Sequence, residues 1–340
     1  MNDQVANQPY ISVITPVFNG ERYIEKSIES ILSQSYDDFE YLIIDDSSND
    51  STPKILEKYL NYSKIRIITN HHNIGLTKSL NIGLKNAAGK YIARQDHDDI
   101  SLRNRLKIQK EFLDSHKNVG VIGTSNHYIN AKDKILYTAN RESSGIINRW
   151  RLLFSNPIMH SSVMFRKDLV ISAGGYDETY NRSQDYKLWS RIIETSDIVQ
   201  LPDVLIKYRK HDESVSYIDT DEQINNSISI AKTNIENLLQ KPINTELVEI
   251  IRMKLNRNPN KYELTETLKL IRKLISRFND KNRLDISDNY KIHKHAAQMM
   301  CKINTTYNPT IYEKMMIIID IFIVKLKYCR LVFKTKLIEK

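Results

Sequence analysis

The sequence contains only two cysteines in 340 residues, Cys301 and Cys329. Two cysteines are too few for a disulfide-stabilised scaffold, and nothing in their use indicates an oxidising compartment. The chain has no apolar segment at its start, so we expect no signal peptide. It also lacks a cysteine and histidine cluster with metal-ligand spacing, an internal repeat and a low-complexity stretch. A disulfide-rich, zinc-bound or repeat protein is therefore not expected.

An apolar run long enough to cross a membrane is missing as well. Residues 315–324 are apolar except for Asp320, and a series of lysines and arginines follows them. A spanning helix needs about 20 mostly apolar residues, and this run ends too early. We predict a helix from residue 311 to about 338, for which two interpretations stay open. It is either a basic helix that lies on an anionic membrane surface, or a helix of the core or of a homo-oligomer interface.

The excess of basic over acidic residues lies entirely in the last third of the chain. After residue 220 there are 22 lysines and arginines and 13 aspartates and glutamates, which accounts for the whole net charge of +9. Helical patterns fill this region at 224–239, 246–255, 264–278, 290–302 and 311–338, with prolines at 242, 259 and 309. We predict a basic helical region over residues 221–340. No nucleic-acid recognition motif accompanies the charge, so a nucleic-acid partner is not expected.

Strands and helices alternate in the first part of the chain. Short β-branched runs predict strands at 10–16, 39–44, 65–68 and 91–93. Helical spacing of apolar residues predicts helices at 21–34, 55–62 and 77–88, with Pro53 in the first turn of the second one. This alternation favours an α/β fold with a mostly parallel central sheet flanked by helices.

Three carboxylates lie within four residues, directly after the strand at 91–93: Asp96, Asp98 and Asp99. Like charges this close repel one another unless a cation shares them. Mg²⁺ and Mn²⁺ take oxygen ligands and keep positions for phosphate, so either ion suits the pattern. A solvated acidic loop is the plainer interpretation. The position after a strand favours a site, because α/β sheets bind ligands at the carboxyl ends of their strands.

Four motifs in order carry a family resemblance. They are Thr-Pro-Val-Phe-Asn at 15–19, Ile-Asp-Asp-Ser-Ser-Asn-Asp-Ser-Thr at 44–52, Asn-Ile-Gly-Leu at 73–76 and Asp-His-Asp-Asp at 96–99. Together they resemble the nucleotide-sugar half of a family 2 glycosyltransferase, of the bacterial surface-polysaccharide type. The resemblance implies a GT-A fold over residues 1–220, with a nucleotide-sugar half at about 10–125 and an acceptor half at about 126–215.

The resemblance also implies roles for single residues around the donor. Pro16, Phe18 and Glu21 match the loop under the nucleotide, and Gly75 belongs to the same binding region. Asp46 matches a carboxylate that accepts a hydrogen bond from the uracil ring, which is chemically sensible because a carboxylate only accepts. Asp96 matches a residue near the ribose and the metal. Asp98 matches the direct metal ligand of the DxD motif, whereas the role of Asp99 is less defined.

The acceptor half carries the expected catalytic base. Residues 157–166 are predicted to form a strand that enters the core, and a helix is predicted from 183 to about 194. Within it the family's Glu-Asp pair appears as Gln184 and Asp185, and Asp185 keeps the position of the base. A first-turn acid that stabilises the helix dipole is the structural alternative. His160 is predicted to be structural or to line the acceptor pocket. Arg209 and His211 match a late element that closes over the diphosphate, with His211 as a further metal ligand.

The function that the resemblance implies is metal-dependent, inverting transfer of a sugar from a UDP-sugar to a saccharide or lipid-linked saccharide, with Mn²⁺ or Mg²⁺ as cofactor. A cytoplasmic enzyme with peripheral contact at the inner membrane face is expected. Two other classes stay open: a non-catalytic glycan- or membrane-binding adaptor, and a sugar-phosphate nucleotidyltransferase. The second needs a glycine-rich loop after its first strand, where this chain has Val-Phe-Asn-Gly at 17–20. The sequence does not identify the donor sugar.

Overall fold

The computed structural model describes residues 8–211 and 221–307, and these residues divide into two compact units. The first unit contains the chain up to Gly145 and Asn156–Gln223. The second contains Ile146–Ser155 and the chain from Ile224 onward. A single boundary near residue 220 would place Ile146–Ser155 in the first unit, whereas this segment belongs to the second. This segment joins the helices because its apolar side chains, Trp150 among them, are buried in their core.

The described residues up to Arg209 form nine strands and seven α-helices. The strands are β1 Ile11–Val17, β2 Phe39–Asp45, β3 Ile65–Thr69, β4 Tyr91–Arg94, β5 Ile100–Ser101, β6 Val119–Ile129, β7 Ile135–Ala139, β8 Met164–Arg166 and β9 Asp197–Arg209. The helices are α1 Ile24–Leu32, α2 Thr52–Glu57, α3 Leu76–Asn86, α4 Arg105–Ser115, α5 Gly145–Arg151, α6 Lys167–Ser172 and α7 Gln184–Ile192. The strands and helices predicted for residues 10–93 are confirmed, with ends shifted by a few residues.

The strands form one mixed sheet in the order β3-β2-β1-β4-β8-β6-β9-β5, with β7 paired to β6. The first four strands pair in parallel, and every residue of β1 and β2 is buried. That burial explains their nearly continuous apolar sequences, because helices cover both faces of such strands. The second half is mainly antiparallel, although β6 and β9 pair in parallel. The α/β fold class is confirmed.

The strand predicted for residues 157–166 is largely wrong. Only Met164–Arg166 is a strand, and a 3₁₀ helix, His160–Ser162, precedes it. The Ser162 hydroxyl donates to the carbonyl of Met159 at 2.8 Å, a local bond that competes with a sheet ladder. Pairing in the sheet is therefore restricted to the last three residues of the predicted run.

The described part of the second unit is helical, as its sequence pattern predicts. Its helices after α5 are α8 Asp221–Leu239, α9 Thr245–Arg252, α10 Lys261–Asn282 and α11 Ile286–Thr306. A capping box between Asn260 and Glu263 starts α10, and the Asp285 side chain caps α11. The helix predicted for 311–338 lies outside the described residues. Within the described ranges, no helix is both long and apolar enough to cross a membrane.

Candidate active site

The three acidic residues after β4 form one cluster. One carboxylate oxygen each from Asp96, Asp98 and Asp99 lies within 4.8 Å of the others. Asp99 is buried, and the other two are partly exposed. The structure thus brings together the three carboxylates that the sequence analysis grouped. Three carboxylates held together at the end of a strand make a concentrated negative site.

The electrostatics of the cluster are divided between its members. Burial raises the pKa of Asp99 well above its ordinary value, and the charges of Asp98 and Asp96 raise it further. Burial also opposes ionisation of Asp98, yet a hydrogen bond from His211 and the charges of His97 and His211 hold the pKa of Asp98 below its ordinary value. Asp98 is therefore an ionised carboxylate beside a neighbour that resists ionisation.

The cluster fits a divalent cation. Its donor atoms are all carboxylate oxygens, the ligands that Mg²⁺ and Mn²⁺ prefer. Oδ2 of Asp99 is buried and accepts no hydrogen bond from the described residues, so it has acceptor capacity to spare. A cation would also offset the repulsion that raises the pKa of Asp99. His211 lies at the cluster, with its Nε2 2.8 Å from Oδ2 of Asp98, and its role as a metal ligand stays a prediction.

Arg209 does not occupy the position predicted for it. Its side chain is fully buried and pairs with Asp133 in the turn between β6 and β7. Its Nε donates to the carbonyl of Asp98 at 2.7 Å, and its backbone N–H donates to Oδ1 of Asp99 at 2.8 Å. A guanidinium held on these partners is not exposed to a diphosphate. Arg209, at the end of β9, instead holds the acidic loop in place. No local sequence pattern could reveal this role.

Asp46 organises the loop that leads into α3. Its carboxylate accepts hydrogen bonds from the backbone of Ile74 at 2.9 Å and of Gly75 at 2.8 Å, and from Nδ2 of Asn70 at 2.7 Å. Gly75 has a φ of 90°, a left-handed conformation that glycine adopts without strain. A carboxylate has about four acceptor positions, so three bonds leave about one for a ligand N–H. The predicted contact with uracil stays compatible with this geometry.

The loops after β1 and β2 hold each other by reciprocal hydrogen bonds. The N–H of Glu21 donates to Oδ2 of Asp50 at 3.0 Å, and the Glu21 carboxylate accepts from the N–H of Ser51 at 2.8 Å. Two residues earlier in the first loop, the N–H of Asn19 donates to Ser48 Oγ at 3.0 Å, while Oδ1 of Asn19 accepts from the N–H of Asn49 at 2.9 Å. Glu21 is thus engaged within the protein.

Pro16 and Phe18 divide the predicted nucleotide loop between a strand and a turn. Pro16 lies inside β1, opposite Ile44, and not in the loop. The position tolerates proline because β4 pairs with β1 only as far as Ile14, so no N–H is needed on that side. Phe18 lies beyond the strand with 43% of its surface exposed. Its ring is the apolar surface that this loop offers to a ligand.

Asp185 is in the first turn of α7, where the family position of the base was expected. Its Oδ2 accepts from Nδ2 of Asn156 at 2.7 Å, and its Oδ1 accepts from the N–H of Tyr186. Burial raises the pKa of Asp185 to about 6, although both hydrogen bonds favour the charged form. A carboxylate with this pKa is mostly ionised at neutral pH and still accepts a proton readily.

Arg94 connects the acidic cluster with Asp185 electrostatically, and the sequence analysis missed it. Its guanidinium is buried and donates to Oδ1 of Asp96. Its charge lowers the pKa of Asp185, and it opposes protonation of His160, whose pKa burial has already lowered well below its ordinary value. Tyr176, whose hydroxyl lies 2.7 Å from Nε2 of His160, is within the fields of Arg94, Asp185 and Asp96. The acidic cluster and the candidate base therefore belong to one site.

A second buried arginine supports the first. Nη1 of Arg105 donates to Oε1 of Gln95 at 2.8 Å, and Nη2 donates to the carbonyls of Arg94 at 2.6 Å and Val163 at 3.1 Å. Burial lowers the pKa of Arg105 to about 9. The only sequence signal for Arg94 was a cation that ends an otherwise apolar strand. For Arg105, in a polar helix, there was none.

Comparisons with known proteins agree with this geometry. A family model described as Glycosyl transferase family 2 matches residues 12–171. An uncharacterized glycosyltransferase of Haemophilus influenzae is 31% identical over 248 residues, covering 69% of this chain and 76% of that relative. The O-antigen biosynthesis glycosyltransferase WbnJ of Escherichia coli is 33% identical over 210 residues, covering 60% of this chain and 81% of WbnJ.

A solved structure shares the fold. Residues 1–349 of S. aureus TarS, in a crystal structure with UDP-GlcNAc, align with a TM-score of 0.57 and 18% identity. The alignment covers 94% of this chain and 91% of that one. At this identity the likeness concerns the fold, which is the mixed sheet with flanking helices followed by C-terminal helices.

Proposed function

The chain belongs to glycosyltransferase family 2, and from this premise we propose that it transfers a sugar from a UDP-sugar to a hydroxyl group of a saccharide or lipid-linked saccharide, with inversion at the anomeric carbon. The product would be part of a surface polysaccharide, as the name of the relative WbnJ suggests. One observation carries the proposal. A carboxylate cluster that fits a divalent cation and a carboxylate with a pKa of about 6 lie in the field of the same buried arginine, Arg94.

At the donor end, Asp96 and Asp98 would hold Mg²⁺ or Mn²⁺, with Asp99 beside them. When bound, such an ion offsets the negative charge of the departing diphosphate. Asp46 has an acceptor position left for the uracil N–H. Phe18 offers an exposed ring nearby, because it directly follows Val17, whose carbonyl accepts from the N–H of Asp46. The TarS complex with UDP-GlcNAc supports a uridine nucleotide as the donor.

At the acceptor end, Asp185 accepts the proton of the attacking hydroxyl. The acceptor oxygen forms a bond to the anomeric carbon while the bond from that carbon to the diphosphate oxygen breaks, and the electron pair leaves with the diphosphate. Asn156 holds Oδ2 of Asp185 and so orients the carboxylate. A single displacement inverts the anomeric carbon, and no covalent intermediate is needed.

The proposal is tested by measuring release of the nucleoside diphosphate from a panel of UDP-, GDP- and dTDP-sugars with Mn²⁺, Mg²⁺ or chelator. We expect release from at least one UDP-sugar, dependence on the metal, and loss of release in Asp98→Ala. Asp37→Ala is the matched control, because Asp37 is an exposed carboxylate that pairs with Lys64 at the surface. The proposal would be refuted if Asp98→Ala in chelator released the diphosphate as fast as the wild type does with metal. It would also be refuted if the wild type released the diphosphate from no nucleotide sugar.

A further inference from the structure

His160 and Tyr176 form a hydrogen-bonded pair of side chains beside the candidate base. Nε2 of His160 lies 2.7 Å from the Tyr176 hydroxyl. The His160 ring also meets the ring of Trp189 edge-on, with centroids 6.0 Å apart. Trp189 follows Asp185 by one turn of α7, so both lie on the same side of that helix. The pair is therefore held next to the turn that carries Asp185.

The pair fixes which ring nitrogen of His160 carries the proton. Tyr176 is buried, and the described residues offer its hydroxyl no acceptor other than His160. If Nε2 donated, the hydroxyl proton would have no acceptor, which is costly for a buried group. If the hydroxyl donates to Nε2, both groups are satisfied and the ring proton lies on Nδ1. The Nδ1–H group is therefore the remaining donor of His160.

This donor is uncharged and open to a ligand. His160 is partly exposed, and its Nδ1, which has no hydrogen-bond partner among the described residues, is accessible to solvent. Loss of hydration lowers the pKa of His160 well below its ordinary value, and the charge of Arg94 lowers it further. A neutral imidazole suits an uncharged oxygen such as that of a sugar hydroxyl, whereas a phosphate is better bound by a cation.

The position of the pair between the two ends of the site indicates which sugar it meets. Burial raises the pKa of Tyr176, and the charges of Asp185 and Asp96 raise it further. Tyr176 is therefore close to both the candidate base and the acidic cluster. In the proposed reaction the transferred sugar lies between these two ends, because its anomeric carbon is attacked from the side of Asp185 and loses the diphosphate on the side of the cluster. His160 is thus placed along the transferred sugar.

We propose that His160 is a specificity-determining residue whose Nδ1–H donates a hydrogen bond to a hydroxyl oxygen of the transferred sugar, and that Tyr176 is the positioning residue that fixes its tautomer. This inference rests on the proposed function and deepens it. A site that hydrogen-bonds a substrate hydroxyl discriminates against an analogue without that hydroxyl, because the donor is then left unpaired. His160 would in this way select among donor sugars that differ at one hydroxyl.

The experiment measures kcat/KM for diphosphate release by the full chain in the absence of an acceptor, so that only the donor sugar is tested. The donors are UDP-glucose, UDP-galactose, UDP-GlcNAc and UDP-GalNAc, together with the single-deoxy analogues of the sugar that is used best. The wild type should use one deoxy analogue about tenfold less well than its parent, as expected for the loss of one hydrogen bond. His160→Ala should use that analogue and its parent equally well.

Two conservative variants test which nitrogen donates. The amide N–H of His160→Asn lies near the position of Nδ1, so this variant should restore the preference for the parent sugar. The amide of His160→Gln lies near the position of Nε2, so this variant should not restore it. Tyr176→Phe keeps the ring but removes the hydroxyl that fixes the tautomer, and it should weaken the preference. His116→Ala is the matched control, because this exposed histidine also lies beside a hydroxyl, that of Ser115 at 3.0 Å, but at the end of α4.

The outcomes separate this inference from the proposed function. Thermal unfolding of each variant shows whether a loss of activity follows from a loss of fold, and His160→Asn and Tyr176→Phe decide the matter if His160→Ala does not fold. The inference is refuted, and the function stands, if the wild type uses every deoxy analogue as well as the parent or if His160→Ala keeps the wild-type preference. Equal restoration by His160→Gln would refute the assigned tautomer. Absence of diphosphate release by the wild type from every nucleotide sugar refutes the proposed function itself.

Discussion

Replacing Asp185 with asparagine removes the charge of its carboxylate, keeps its shape, and tests the proposed base in two independent ways. A base must ionise to accept a proton, and the protein has buried this carboxylate at a cost to its own stability. The variant should therefore lose activity and, at neutral pH, regain the stability that ionisation costs. A purely structural Asp185 would not produce this pair of effects.

The size of the stability effect follows from the pKa. Burial raises the pKa of Asp185 from 3.8 to about 6, and one pKa unit corresponds to about 1.4 kcal/mol. Ionisation in the folded protein therefore costs up to about 3 kcal/mol, which partial exposure of the side chain to solvent reduces to about 1–2 kcal/mol. Since the folded pKa lies above the unfolded one, the wild type loses this stability as pH rises from about 4 to about 6. The asparagine variant does not.

A second contribution is independent of pH. The carboxylate accepts from both Asn156 and the backbone of Tyr186. An amide has a single acceptor oxygen, so one donor loses its partner at a cost of about 1 kcal/mol. The test is therefore the pH dependence of the difference between variant and wild type, and not its value at one pH.

Urea unfolding at several pH values between 4 and 8 measures this difference. The free energy of unfolding of the variant, relative to that of the wild type, should rise between pH 4 and 6 and stay constant above pH 6. Asp177→Asn is the control, because hydrogen bonds from Thr179 lower the pKa of Asp177 from its ordinary value of 3.8. The stability difference between that variant and the wild type should therefore stay constant between pH 4 and 8. A difference for Asp185→Asn that does not change with pH would refute the assigned ionisation cost.

The same variant should lower kcat by about 10²–10⁴-fold while donor binding survives. In the wild type the rate should fall as pH drops below about 6, because the base takes up its proton. The variant should lack this acid limb. If kcat is unchanged and only the affinity for the donor falls, Asp185 is a nucleotide-binding or structural residue.

Three further predictions follow from the site and the sequence. Asp98→Ala should abolish metal-dependent binding of UDP in calorimetry without changing the fold, and binding that survives in chelator would contradict the DxD assignment. Arg94→Met removes a cation that lowers the pKa of Asp185, so the acid limb of the rate profile should move to higher pH; Arg94→Lys controls for packing, and an unmoved limb would contradict the coupling. Removal of residues 311–340, which the structure does not describe, should release the protein from anionic vesicles at low salt but preserve donor hydrolysis, because basic residues near such a surface contribute about 1 kcal/mol each. Equal sedimentation of both forms would exclude a membrane anchor there.

The sequence predicted best where local periodicity and burial agree. Strands β1 and β2 are buried on both faces, and their apolar runs therefore mark them clearly. The acidic residues and Asp185 could be selected as candidates from the sequence because motif and element end coincide, and their roles stay predictions. The 3₁₀ helix at His160–Ser162 was missed because a side-chain bond from Ser162, invisible in the apolar pattern, decides the backbone there.

Contacts between distant parts of the chain account for the other failures. Arg209 was expected at the diphosphate, yet Asp133 and Asp98 hold it, and they lie 76 and 111 residues away along the chain. Arg94 and Arg105 are buried cations whose partners come from several elements. No window of sequence contains such a set of partners, so neither propensity nor motif predicts it. These residues fix the orientation of the groups that the motifs reveal.

The reciprocal bonds between the loops after β1 and β2 limit how the proposed nucleotide site can diverge. Because Glu21 contacts both Asp50 and Ser51, and Asn19 contacts both Ser48 and Asn49, a change in one loop removes partners from the other. Substitutions in the two loops should accordingly covary, and double-mutant cycles across them should depart from additivity. An attempt to alter nucleotide preference by grafting a loop from another enzyme would need to transplant both loops together, as one cassette.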